Sequence, residues 1–242
     1  MKIAVIGGTG LIGSQVVTNL LVAGHEAVPH SQSTGVDVIS GQGLDEAVDG
    51  ADVVVNLTNS PTFDDASPDF FRTSMNNLLA AAGKGGVGHV VILSIVGVDK
   101  VPELVYYRAK VLQEEILSAG SIPYSIVRAT QFMEFVEAAM SWTVDGDTVR
   151  LPATPIQPIA AKDVSAAVAE VAVGAPLNGI HAIAGPDVFA LDELGRITLA
   201  RKDDGRTVTT DPTAGMFAAV KGDVLTDSTA HIASTHYTDW LS

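Results

Sequence analysis

The chain has 242 residues, 47% hydrophobic and 17% charged, which fits one large domain with a substantial core. Asp and Glu (28) outnumber Lys and Arg (14), and the net charge of -14 argues against a nucleic-acid or anionic-membrane surface. The absence of cysteine excludes a disulfide framework and a thiolate metal site.

In chain order, residues 2–6 form a short continuous apolar run. Glycines interrupt it too early for a signal peptide. Residues 11–23 carry apolar side chains at helical spacing and stop at Gly24. Strands are predicted over 26–30 and 37–39, a short helix over 44–48 and a buried strand over 52–57. A helix over 68–82 is ended by Gly83, Gly85 and Gly86. Strand 89–94, helix 103–118 and strand 124–128 follow. Nearly continuous apolar strands alternating with helices predict an α/β fold, a doubly wound parallel sheet covered on both faces.

Beyond Thr130 the pattern loosens. Helices are predicted over 132–142, 161–173 and 191–200, strands over 148–151 and 180–184, and a helical turn over 216–220. No uncharged apolar run reaches the length of about 18 residues that a membrane helix needs. The expectation is a cytoplasmic protein with no membrane or nucleic-acid partner. Residues 1–242 read as a single domain, its sheet core over 1–130. A small C-terminal lobe over about 131–242 is expected to bind substrate at the strand ends.

Residues 7–13 read GGTGLIG, between a strand and a helix. Gly7 permits a tight turn, Gly10 lets the backbone approach a pyrophosphate, and Gly13 lets helix pack close to sheet. Thr9, Leu11 and Ile12 complete this loop, and phosphates would sit at the helix N-terminus it opens. A carboxylate at the end of the second strand would hold the ribose of NAD. In this chain that stretch holds Ser31, Gln32, Ser33 and Thr34, with hydroxyls able to donate to a 2′-phosphate. The cofactor expected is NADP, with NAD possible.

Tyr106 and Lys110 lie four apart on a predicted helix and so share a face. Ser94 ends the preceding strand, twelve residues earlier. A carbonyl that accepts hydride needs a proton, and an adjacent ammonium favours ionisation of a phenol whose ordinary pKa is about 10. Tyr106 is the expected acid/base, Lys110 its activator within reach of the nicotinamide ribose, and Ser94 the group that holds the substrate oxygen. Tyr107, three residues from Lys110, is a competing phenol.

The glycine loop, Ser94, Tyr106-x-x-x-Lys110 and the stretch Ile126-Val127-Arg128-Ala129-Thr130-Gln131-Phe132-Met133 together resemble the atypical short-chain dehydrogenase/reductases, in their NmrA-like branch. Residues 157–164, QPIAAKDV, resemble that branch's segment before a helix, and the resemblance spans roughly residues 1–185. It implies a Rossmann-type fold, with residues 1–242 a single NAD(P)-binding domain whose Rossmann core covers 1–130, and that Leu57, Thr58, Asn59 and Ser60 lie near the adenine ribose and pyrophosphate. It also implies that Ala129, Thr130, Gln131 and Phe132 lie beside the nicotinamide, and that Ser94, Tyr106 and Lys110 take the reductase roles. Gln32 stands where many relatives carry Arg. A monomer, or a homodimer through the helices over 68–82 and 103–118, is implied.

The six histidines lack metal-ligand spacing, Asp64-Asp65 and Asp203-Asp204 read as solvated turns, and no metal is expected. No G-x-S-x-G elbow is present. Phe132, Met133, Phe135, Met140 and Trp142 have helical spacing that suits a core, with Phe132 the candidate for a substrate wall. The function expected is NAD(P)H-dependent hydride transfer to or from a carbonyl, alcohol or quinone-like small molecule, of aromatic or polyketide type. The alternatives are an NADP-sensing regulator without turnover, and an epimerase or dehydratase using the cofactor transiently.

Overall fold

The computed structural model describes residues 1–242 and forms two compact units interleaved along the chain. The first comprises Met1–Ser94, Val105–Arg128 and Val164–His181; the second comprises Ile95–Leu104, Ala129–Asp163 and Ala182–Ser242. The strands are β1 (Lys2–Ile6), β2 (Glu26–His30), β3 (Val53–Asn56), β4 (His89–Ile95), β5 (Tyr124–Ala129), β6 (Val144–Asp145), β7 (Thr148–Leu151), β8 (Pro155–Ile156), β9 (Gly179–Ala184), β10 (Phe189–Ala190), β11 (Thr207–Thr210) and β12 (His231–Ile232). The helices are α1 (Leu11–Val22), α2 (Leu44–Val48), α3 (Ser67–Gly85), α4 (Val105–Ser118), α5 (Val136–Ser141), α6 (Ala161–Val173), α7 (Leu191–Arg201) and α8 (Tyr237–Trp240).

The large sheet has seven strands in the order β12-β9-β5-β4-β3-β1-β2 and is parallel, as the sequence predicts. Lys2 to Ile6 pair with Glu26 to His30 on one side, and Ile3 to Ile6 with Val53 to Asn56 on the other. The chain therefore leaves β1 toward β2, returns, and continues outward from β3. That reversal puts a topological switch point at the C-terminal ends of β1 and β3, where open α/β sheets bind ligands. Every residue of β3 is buried, which explains the unbroken apolar run. Ile12, Val16 and Leu20 put one stripe of α1 into the interior. Ile6, Leu44, Val48, Val54, Met75, Leu78, Val90, Ile92 and Leu117 share a core cluster.

Several expectations need correction. Residues 37–39 form a turn, not a strand. Gly35, Gly41 and Gly43 all have positive φ and bend the chain around them. The backbone groups that a ladder would take bond elsewhere: the Asp37 carboxylate accepts from Ile39 N–H (2.8 Å), and Asn77 Nδ2 donates to the carbonyls of Val38 (3.0 Å) and Ile39 (2.9 Å). Helix α3 runs through Gly83 to Gly85 and is closed by Gly86 at φ 69°, where Gly86 N–H reaches Gly83 O and Val87 N–H reaches Ala82 O.

The predicted helix over 132–142 is a 3-10 turn (Met133–Phe135) leading into α5, while the helical turn expected over 216–220 is present as a 3-10 turn (Met216–Ala219). Phe132 is instead extended and bridges in parallel to Ile159. In the second unit β7 pairs with β11 in parallel and with β6 antiparallel, and β8 pairs antiparallel with β10. Of these, β6, β8, β10 and β11, together with β12 and α8, have no counterpart among the elements the sequence predicts. No helix is long and apolar enough to cross a membrane.

Candidate active site

A cavity of about 340 Å³ opens in the first unit at the switch point. Its wall takes Ile6, Gly7, Thr9 and Gly10 from the end of β1, Ser31 and Gln32 from the end of β2, and Leu57, Thr58 and Asn59 from the end of β3. Val36, Val38, Ile39, Pro61 and Phe70 add an apolar side that sequence reasoning missed. Its volume lies in the range of small-molecule sites.

The glycines of the loop answer to different neighbours. Gly7 has φ 82°, and a Cβ there would lie 2.9 Å from the Leu57 carbonyl. At Gly8, to which the sequence assigns no role, a Cβ would lie 2.7 Å from Pro29 Cα. At Gly13 it would fall 2.1 Å from Gly7 O, so α1 packs directly on the turn before it. Gly10 differs: a Cβ there would meet only Gly7 O, at 3.4 Å, an ordinary contact. The fold requires a bare position at 7, 8 and 13 but not at 10, where the chain faces the cavity. No side chain caps the N-terminus of α1, and its first turn holds no acidic residue. The free N–H groups and the dipole there suit a phosphate. A dinucleotide therefore fits this loop. Of its other residues, Ile12 is buried, its carbonyl accepting from Ser165 Oγ (3.4 Å), and Leu11 is exposed.

At the end of β2 the hydroxyls are largely engaged with one another. Thr34 Oγ1 donates to the Ser31 carbonyl (3.0 Å) and accepts from Ser31 N–H (2.8 Å), while Ser31 Oγ and Ser33 Oγ share one bond of 2.8 Å. Thr34 is thereby spent, and the two serines keep one hydroxyl proton between them for a ligand. The cavity wall includes no Asp or Glu.

Tyr106 and Lys110 both point inward from α4. Tyr106 Oη donates to Asn59 Oδ1 at 2.5 Å, which puts the phenol one hydrogen bond from the cavity wall. Asn59 Oδ1 also accepts from Ser60 N–H (3.0 Å). The rings of Phe63 (4.7 Å) and Phe71 (6.1 Å) flank the Tyr106 ring. Burial pushes the Tyr106 phenol up to about 12, with the Asn59 bond pulling the other way. Lys110 Nζ donates to the Leu93 carbonyl (2.7 Å) and to Gln113 Oε1, and lies 4.9 Å from the centre of the Phe71 ring. Burial pushes the Lys110 amine down to about 7, against the pull of Glu114. The phenol and the amine thus take different partners, and burial drives each toward its neutral form. Ser94 Oγ is buried and has no hydrogen-bond partner. Tyr107 is buried as well.

Residues 129–132 belong to the second unit. Thr130 N–H donates to the Ile183 carbonyl (3.1 Å), and Gly185 N–H reaches Thr130 Oγ1 (3.4 Å). Both polar atoms of the Gln131 amide are shielded from solvent and unpaired. No group of three or more His, Cys, Asp or Glu is arranged to hold a metal ion.

The comparisons agree with this geometry. The family model described as NAD(P)H-binding matches residues 7–173. The photosystem II assembly factor Ycf39 of Synechocystis is 24% identical over 149 residues, which is 55% of this chain and 46% of that protein, so less than half of the relative's length is spanned. The NADPH-dependent quinone oxidoreductase QOR2 of Escherichia coli, solved with NADPH, superposes with a TM-score of 0.69 at 20% identity, covering 86% of this chain and 77% of that one. UDP-glucose 4-epimerase of Thermus thermophilus, solved with NAD, gives a TM-score of 0.71 at 18% identity, covering 87% and 86%. With the glycine loop, the switch-point cavity and a family match over most of its length, the chain belongs to the NAD(P)H-binding family.

Proposed function

We propose that the chain is an NADP(H)-dependent oxidoreductase of short-chain type acting on the carbonyl or alcohol carbon of a small molecule, with a quinone-like compound as the favoured class. The observation that carries this reading is the Tyr106 hydroxyl bonded to the cavity-wall residue Asn59, with buried Lys110 one helical turn on. The bound nicotinamide would supply or accept the hydride. Tyr106 holds a proton at Oη, and its release toward substrate begins by breaking the bond to Asn59. Lys110 supplies the charge that lowers the cost of the phenolate once its amine is protonated. Ser94, whose hydroxyl has no partner, offers a hydrogen bond to the reacting oxygen. The glycine loop holds the pyrophosphate.

The preference for NADP rests on the carboxylate-free cavity wall and on the shared serine proton at the end of β2. The relative QOR2, solved with NADPH, supports both the cofactor and the quinone class. The second reading is an NADP sensor without turnover. It is favoured by the resting state of α4, where burial holds the phenol proton and Lys110 is tied to a main-chain carbonyl.

Parallel titrations with NADPH and NADH, read by nicotinamide fluorescence, test the cofactor, and tighter NADH binding would overturn the preference. Quinone reduction by Tyr106→Phe separates the two readings. Turnover should fall by about 10²–10⁴-fold with cofactor affinity retained. Undiminished turnover in that variant removes Tyr106 from the chemistry, and a wild type that binds NADPH and reduces no carbonyl or quinone favours the sensor.

A further inference from the structure

We propose that Gln113 is a positioning residue for the reaction: its amide oxygen, locked in one orientation, holds the Lys110 amine against the strand that carries Ser94 and favours it as a cation. The proposal rests on the reading that Tyr106 and Lys110 carry the proton chemistry.

The orientation of the amide carries it. Gln113 is fully buried, and its two polar ends have unlike neighbours. The Met75 sulfur only accepts, so it takes Nε2 (3.6 Å), and Oε1 is left to face Lys110 Nζ. The sulfur is fixed in turn, because it also accepts from Asn56 Nδ2 (3.2 Å). Asn56 Oδ1 accepts from the N–H (3.1 Å) and the hydroxyl (2.7 Å) of Thr58 on the cavity wall. The string from Asn56 through Met75 and Gln113 to Lys110 is buried throughout, where solvent does not compete for its bonds.

Three groups meet the amine, and each presents its negative end. Nζ donates to the Leu93 carbonyl (2.7 Å) and to Gln113 Oε1, and it stands over the Phe71 ring, 4.9 Å from the centroid. Carbonyl dipoles and a ring face both favour ammonium over amine. Burial acts against them and pulls the amine down to about 7, so the loss of one acceptor shifts the balance. The charged and titratable neighbours do not take the place of Gln113. On α4, Glu114 is committed to Arg128 of β5 (2.6 Å), and the Tyr106 hydroxyl donates to Asn59. From α3 the amine meets the Phe71 ring, and from β4 the Leu93 carbonyl. Leu93 immediately precedes Ser94, so this one amine ties the helix of the phenol to the strand of the serine.

The test follows the ε carbons of lysine by NMR in the cofactor-free protein, from about pH 5 to pH 10. The Lys110 signal is identified by its loss in Lys110→Met. Gln113→Met, of similar length but without the oxygen, should move the Lys110 midpoint down by about one pH unit. Gln113→Glu, which keeps an oxygen beside the amine and adds charge, should move it up by about one unit or more. In quinone reduction with NADPH, the alkaline limb of kcat should move the same way in each variant, and Gln113→Glu should recover the turnover at about pH 8 that Gln113→Met loses. A glutamine that only fills space would lower the melting temperature and leave the midpoint and the limb where they are. If Gln113→Met does not fold, Met75→Leu, which removes the sulfur that locks the amide, takes its place with a smaller downward shift expected. An unmoved midpoint in the folded variant, or a downward one in Gln113→Glu, overturns the proposal and leaves the reading of Tyr106 intact. Full turnover in Tyr106→Phe and Lys110→Met overturns that reading, and the role of Gln113 in the reaction falls with it.

Discussion

Gly10 and Gly13 lie three residues apart in one loop and are bare for different reasons. A Cβ at 13 collides with the Gly7 carbonyl, while one at 10 has room inside the protein. Gly13→Ala should therefore destabilise the fold by about 1–3 kcal/mol, with the better helix propensity of alanine unable to offset the overlap. Gly10→Ala should change stability by less than about 0.5 kcal/mol yet weaken NADPH at least about tenfold. Urea denaturation and fluorescence titration of both variants check this pair. A Gly10→Ala protein that binds NADPH as tightly as wild type would mean that no phosphate comes close to that glycine. Spacing made these glycines and the Tyr106–Lys110 pair legible in the sequence. It could not reveal Asn59 as the acceptor of the phenol or Gln113 as the acceptor of the amine, because those partners are chosen by packing between side chains and not by spacing.

At the scale of elements, the alternation up to β5 was legible because each strand is a nearly continuous apolar run with glycine or a polar loop after it. The segment 37–39 misleads for the same reason: Val36, Val38 and Ile39 look like a strand, and the side chain that satisfies their backbone sits 38 residues away on α3. The short Thr-rich and two-residue strands of the second unit carry no periodicity, and only their partners define them. Asn77 holds the loop that forms the apolar side of the cavity. Asn77→Leu should cost about 1–3 kcal/mol of stability through two lost hydrogen bonds. It should weaken NADPH as well, because Val38 and Ile39 are no longer held at the wall. Denaturation and cofactor titration of this variant would be measured together. Lost stability with unchanged affinity would show that the loop does not shape the site.

Across the whole molecule, two buried bases set the response to pH. His89 is buried, with Nε2 on Ser125 Oγ (2.9 Å) and Nδ1 unpartnered, and burial holds its pKa below 6.5. As pH falls below 6.5 the unfolded chain takes up a proton that the folded chain resists, and stability is lost. Lys110 has the same sign in a higher window. Below about pH 7 the buried ammonium costs its full penalty, which is relieved as pH rises from about 7 toward the unfolded value of 10.5. The cofactor-free protein should melt at progressively higher temperature from about pH 6 to pH 9. Lys110→Met should flatten the rise above about pH 7 and leave the part below it. Scanning calorimetry across that range decides the matter, and parallel curves for the two proteins would mean that Lys110 is charged in the fold.

The interleaving of the two units also fixes an order of events during synthesis. The glycine loop, Tyr106 and Lys110 have all emerged from the ribosome once the first 110 residues are clear of it. The unit that holds them is complete only after Val164–His181 has followed, with Ser165 on the carbonyl of Ile12. For the length of chain between those points, the nascent protein carries the groups of its site without the helix that finishes their unit.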